Sequence, residues 1–212
     1  MVTCAEMKAL EKAADEAGLT YYQMMENAGT GAAEAIAAKW NVAGKNVLII
    51  CGKGNNGGDG YVVAGKLSRL DSHVLLVSPE GMPASPEAAT NYNLCREMNL
   101  PFILQEEKIL SAIKNADFIV DALYGTGFHG ELKEGIRHLI EQINRAGARR
   151  IALDLPSGLS GDNDNQPVGL HVHGDMTVTF HDEKPVHKNP LARLGEVYVA
   201  SIGIENLTTL KL

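Results

Sequence analysis

Five apolar residues, Val47-Leu48-Ile49-Ile50-Cys51, run directly into Gly52-Lys53-Gly54-Asn55-Asn56-Gly57-Gly58-Asp59-Gly60. This junction limits the fold more than any other stretch. A run with no polar side reads as a strand buried on both faces, which belongs to a parallel sheet covered by helices on each side. Shorter runs recur along the chain: His73–Val77, Phe102–Leu104, Phe118–Val120, Ile151–Leu153, Met176–Phe180 and Glu196–Ile202. Helical patterns lie between them, over Gly60–Leu70, Pro86–Met98, Lys108–Lys114 and Leu132–Ala146, and two more precede them over Ala5–Ala17 and Tyr21–Trp40. Alternation of this kind predicts an α/β fold in three layers, with a mostly parallel central sheet. A polar stretch without a helix joins the last two runs, which are compatible with an antiparallel extension.

Composition narrows the class. The chain has 212 residues, 45% hydrophobic and 21% charged, which suits one domain over residues 1–212. Its net charge of −7, from 26 acids against 19 bases, argues against a nucleic-acid groove or an anionic membrane surface. The apolar runs fall far short of the roughly 20 residues of a membrane helix. The start, Met1-Val2-Thr3-Cys4, shows no signal-peptide pattern, and the cysteines Cys4, Cys51 and Cys95 give no disulfide framework. The expectation is a soluble cytoplasmic domain. The Ala- and Met-rich N-terminal helices could form a dimer interface or equally cover the sheet.

A glycine-rich turn between a buried strand and a helix can hold phosphate, because its backbone N–H groups reach the anion at a helix N-terminus. Gly52, Gly54 and Gly57 satisfy G-x-G-x-x-G, yet the ribose-binding acid of a dinucleotide site is missing: Asp71 precedes the strand His73–Val77. No Gly-Lys-Ser/Thr closes the loop as in a Walker motif. Two further strands end in similar loops, Asp121 leading to Gly125-Thr126-Gly127-Phe128-His129-Gly130 and Asp154 to Pro156-Ser157-Gly158. Ligands of open parallel sheets bind outside the carboxyl ends of the strands, where these loops would meet. Asn56, Asp121 and Ser157 make an oxygen-only set suited to a hard cation and compatible with a monovalent one.

These motifs, together with Met25-Glu26-Asn27-Ala28-Gly29, Asp121-Ala122-Leu123-Tyr124-Gly125-Thr126-Gly127, Thr177-Val178-Thr179-Phe180 with Lys184, and Ile202-Gly203-Ile204, resemble the NAD(P)H-hydrate epimerase family over almost the whole chain. The resemblance implies a Rossmann-like fold and interconversion of the R and S forms of hydrated NADH and NADPH. It also implies one potassium ion per subunit, held by Asn56, Asp121 and Ser157. Substrate would contact Asn55, Asn56, Gly57, Gly58 and Asp59, then Gly125, Thr126, Gly127, Phe128, His129, Gly130 and Glu131, and Asp154. A separate NAD(P)H-hydrate dehydratase would supply the partner activity. After Phe180 the chain departs from the family's usual course, continuing through Lys184-Pro185-Val186-His187-Lys188-Asn189-Pro190.

The hydrate is a carbinolamine, and inverting its hydroxyl-bearing carbon needs proton transfer near that hydroxyl. Asp154 is the expected acid/base, with Lys184 tuning it or orienting the hydroxyl. A competing reading is a non-catalytic nucleotide- or RNA-binding assembly module of the same fold; retention of Asn56, Asp121, Asp154 and Ser157 favours the enzyme. Other features are expected to be bland. His171 and His173 would point the same way on a strand but lack a third metal ligand. Asp162-Asn163-Asp164-Asn165 reads as a solvated turn, Cys51 as an apolar filler, and Met7, Met24 and Met25 as packing residues.

Overall fold

The computed structural model describes residues 1–207. Seven strands, β1 (Asn46–Cys51), β2 (His73–Val77), β3 (Phe102–Ile103), β4 (Phe118–Ala122), β5 (Arg149–Leu153), β6 (Met176–Phe180) and β7 (Glu196–Ala200), form one sheet. Their order is β3-β2-β1-β4-β5-β6-β7, and every neighbouring pair is parallel. The helices are α1 (Cys4–Glu16), α2 (Tyr21–Lys39), α3 (Asn55–Ser68), α4 (Pro86–Glu97), α5 (Glu106–Asn115) and α6 (Glu134–Arg145).

Period-2 geometry sends alternate strand residues into different cores. Val47, Ile49 and Cys51 of β1 pack with the buried faces of α1, α2 and α3. Leu48 and Ile50 pack instead with Ile113 of α5 and with Ile136, Leu139, Ile140 and Ile143 of α6. Both faces of the central strand are therefore apolar, as the unbroken run requires. Capping boxes at Thr3 with Glu6 and at Thr20 with Gln23 start the first two helices. The faces of Met7, Leu10 and Ala14 and of Met24, Met25, Ala28, Ala32 and Ile36 are buried within this one chain, so they cover the sheet. Among the described residues no helix is long and apolar enough to cross a membrane.

The structure corrects the expected antiparallel extension, since β6 runs parallel to both β5 and β7. A parallel neighbour needs a crossover, and a helix normally supplies its apolar cover. Here a small core of Leu155, Leu159, Val186 and Leu194, drawn from the two connecting segments, takes that place. A second difference concerns α3, which begins at Asn55 rather than Gly60. Asn55 through Asp59 thus form the first turns of a helix and not an open loop.

The chain leaves β1 toward β2 and β3, then returns to place β4 on the opposite side of β1. The crevice beyond the carboxyl ends of β1 and β4 is the topological switch point at which such sheets bind ligands.

Candidate active site

Turns after β1, β4 and β5 build the site. Helix α3 opens with Gly54 at its N-cap and has no side-chain cap, so a ligand can take that role for its first amides. Gly57 is required by the turn itself. A Cβ there would stand 1.9 Å from the Gly52 carbonyl oxygen, so the missing side chain lets the turn close on itself. Gly125 does face the site, because a Cβ at that position would lie 2.7 Å from Asp154 Oδ2 and 3.3 Å from Asn56 Cγ. The three residues of three different loops meet there.

Asn56 is buried, and neither its Oδ1 nor its Nδ2 has a hydrogen-bond partner. A buried amide left in this state is costly unless a ligand satisfies it. Nearby, Ser157 donates its N–H to Asp121 Oδ2 at 2.8 Å and its hydroxyl to Asp121 Oδ1 at 2.6 Å. The Ser157 hydroxyl oxygen accepts the Tyr124 N–H at 2.9 Å, which joins this pair to the turn that carries Gly125. Asp121 is fully buried, and burial pushes its carboxyl up to about 6 against the hydrogen bonds from Ser157 and Leu123. An orphaned amide oxygen and a buried carboxylate are donors of the type a hard cation takes. Among the described residues no group of three or more His, Cys, Asp or Glu could hold a metal ion.

Asp154 follows β5 with φ of +62°, a left-handed conformation that aspartate tolerates better than most residues. Its Oδ2 accepts the Thr126 N–H at 2.9 Å, and its Oδ1 accepts from Lys184 Nζ at 2.9 Å and from the Thr179 hydroxyl at 3.3 Å. Burial alone would raise this carboxyl. The Lys184 ammonium, by charge and by hydrogen bond, together with the Thr126 amide, holds it below the ordinary range instead. Lys184 is 1% exposed and also donates to the Thr179 hydroxyl oxygen at 2.9 Å and the Phe180 carbonyl at 2.8 Å. Its three hydrogens are thereby engaged within the protein, one of them by Asp154.

Two further carboxyls surround this pair. Burial first, and then the charge of Asp154, push Asp59 well above the usual carboxylate range. The same causes lift Glu11 of α1 to about 7. Glu11 escaped the sequence reading, although a signal existed: it shares the stripe of Met7, Leu10 and Ala14, where an apolar residue is expected. A carboxyl raised in the folded state binds protons more tightly than in the unfolded chain, so stability falls as pH rises from about 4.5 toward 7. Glu11→Gln should accordingly gain thermal stability over the parent as pH increases, with the two proteins alike near pH 4. A melting-temperature difference that stays flat with pH would place Glu11 in ordinary solvent.

Thr126 reaches Asp154 through its amide, while Gly127, His129, Gly130 and Glu131 are exposed and Phe128 stacks on Tyr124 with centroids 4.7 Å apart. An acid does follow β2, namely Glu80, which the sequence reading overlooked. It pairs with Lys133 at 3.0 Å, so a protein group already engages it. His171 and His173 lie off any strand; His171 accepts the Arg193 N–H at 3.2 Å and has Gly169 O at 2.8 Å, which uses both ring nitrogens. The turn at Asp162 accepts the Cys4 N–H at 2.8 Å and so anchors the start of α1. Cys51 is a buried filler.

Residues 21–186 match the family model described as YjeF-related protein N-terminus. The chain is 34% identical over 211 residues to a Nitrosopumilus maritimus protein named NAD(P)H-hydrate epimerase, covering 96% of this chain and 95% of that protein. It is 36% identical over 203 residues to the Archaeoglobus fulgidus bifunctional NAD(P)H-hydrate repair enzyme Nnr, covering 96% of this chain but 41% of the relative. The chain thus spans about two fifths of the length of such bifunctional relatives. The crystal structure of the yeast protein ynu0 superimposes with a TM-score of 0.80 at 23% identity, over 88% of this chain and 82% of that one, which supports the fold.

Proposed function

This chain belongs to the family of YjeF-related protein N-terminal domains, and from that premise we propose that it is an isomerase interconverting the R and S forms of hydrated NADH and NADPH. The observation that carries the reading is the buried Lys184–Asp154 pair, 2.9 Å apart, which meets the unpartnered Asn56 amide across Gly125. Lys184 holds the Asp154 carboxyl below its usual range, while burial and the charge of Asp154 raise those of Asp59 and Glu11. Carboxyls whose environments push their affinities apart can serve as base and acid in one site.

The chemistry follows from the substrate. A proton delivered to the departing hydroxyl lets the C–O bond break with its electron pair, releasing water, while the ring nitrogen lone pair forms the iminium. Ionised Asp154 stabilises that cation. Water then adds to the opposite face and gives its proton to a carboxylate, and the atoms balance. The first amides of α3 bind the phosphates, with Asn55 to Asp59 and Gly125 to Glu131 as the surrounding contacts. Residues 1–212 are read as a single epimerase-like domain acting in the cytoplasm. A separate dehydratase consumes the S form, and a homodimer would use surfaces other than the buried helix faces.

Asn56 Oδ1 and Asp121, with Ser157 orienting the carboxylate, would hold potassium, which supplies fixed positive charge that organises the three loops. The non-catalytic assembly module is disfavoured by the buried acid–base set and by the near full-length match to a protein named as an epimerase. The direct test mixes the chain with each separated hydrate isomer and follows the isomer ratio by chromatography. Faster approach to the equilibrium ratio than the uncatalysed reaction is expected, and no acceleration overturns the reading. Potassium should also raise the melting temperature above that in sodium or choline salts, and Asn56→Ala should abolish the increment. Equal melting in all three salts would remove the ion from the site.

A further inference from the structure

The segment after Phe180 contains His187, and its imidazole joins the backbones of Asp154 and Lys184. The Lys184 N–H donates to His187 Nδ1 at 2.8 Å. His187 Nε2 lies 3.1 Å from the Asp154 carbonyl oxygen. An amide can only donate and a carbonyl can only accept, so the ring is neutral, with its proton on Nε2. His187 is buried at 8% exposure in the turn Pro185–Lys188, whose first bond runs from its own N–H to the Lys184 carbonyl at 2.9 Å.

We propose that His187 is a positioning residue for the epimerase reaction: its neutral ring clamps the main chain of Asp154 to that of Lys184, so that the ammonium meets the carboxylate in one fixed geometry. The inference rests on the function proposed above for the site. Asp154 needs such support because its backbone is left-handed and its own turn must hold that conformation. The other backbone tie of Asp154 is its N–H to the Val178 carbonyl at 2.7 Å, which fixes one side of the residue, while His187 fixes the other. No hydrogen bond takes the ring itself to the Asp154 carboxylate or the Lys184 ammonium, so it acts through their positions.

Protonation would break the clamp, since an Nδ1–H would face the Lys184 N–H, donor against donor. The charged groups around the ring are Asp154 from the end of β5, and Lys184 and Glu183 from its own segment. Burial dominates and, with Lys184, keeps the ring neutral below its ordinary 6.5 in spite of the acids.

The experiment compares the parent chain with His187→Ala and His187→Gln, the latter restoring one acceptor and one donor. A misplacement of about 1 Å at a reacting group costs on the order of a hundredfold, so His187→Ala should lose about that factor in kcat with KM little changed, and glutamine should recover part of it. The parent should lose turnover on the acid side as the ring takes a proton, and the glutamine variant should lack that step. Nitrogen NMR of the parent should show a neutral, Nε2-protonated ring at pH 7, and carbon NMR should show the Asp154 carboxyl titrating higher in the alanine variant. An imidazolium or Nδ1-protonated ring at pH 7 overturns the proposal, as do unchanged turnover and unchanged Asp154 titration in His187→Ala. If alanine prevents folding, the parent spectrum and the glutamine pH profile decide. If the parent shows no epimerase activity, the function fails, while the tautomer and the Asp154 titration still test the clamp.

Discussion

Asp154→Asn should slow isomer interconversion by about 10²–10⁴-fold while KM changes little, the range general acid–base groups contribute. Asparagine keeps the size of the side chain and can still accept the Thr126 N–H, but it neither carries the negative charge that steadies an iminium nor exchanges a proton. The amide would also face the Lys184 ammonium and the Thr179 hydroxyl now bound to Oδ1. Initial rates at saturating and limiting hydrate, corrected for the uncatalysed reaction, separate the two effects. Near-normal turnover at saturation, with a raised KM, would make Asp154 a binding residue only.

Lys184→Met should cost about 3–5 kcal/mol of stability at neutral pH, because removing one member of a buried pair leaves the other charge unpaired. Methionine fills much the same space, so the loss reflects charge more than a cavity. The sign of the pH dependence follows from Asp154, whose carboxyl is held below its reference 3.8 in the parent. The stability from that depressed value is present above pH 3.8 and is lost as pH falls through the folded value. In the variant, burial without the ammonium raises the carboxyl, and acid relieves the stranded charge by protonating it. The gap between the two proteins in urea unfolding should therefore narrow as pH falls from 7 toward 4. A loss below about 1 kcal/mol at pH 7 would mean that the pair is effectively solvated.

Local pattern was enough for the elements near the site. The two-sided apolar run of β1, the glycine turn after it and the acids ending β4 and β5 are properties of consecutive residues, and they located the crevice. The strand order that brings these loops together is a fact of the folded sheet, β3-β2-β1-β4-β5-β6-β7. The placement of Asn56, Asp121, Ser157 and Asp154 was legible for the same reason: each stands at or just past a strand end, where different loops converge.

Long-range contact decided the remainder. The direction of β6 depended on whether a helix-free connection could bury enough apolar surface, and Leu155, Leu159, Val186 and Leu194 meet only after folding. The partners that engage the other hydrogens of Lys184, Thr179 and the Phe180 carbonyl, are set by the fold. Glu11 stands 143 positions before Asp154, on a helix packed over the far end of the chain, so its raised proton affinity exists only in the folded pocket. The residue types and their order determined the architecture and the place of the site, because strand burial and turn chemistry act over a few residues. The charge state of each carboxyl was decided by tertiary structure alone, because desolvation and ion pairing depend on which distant groups surround it.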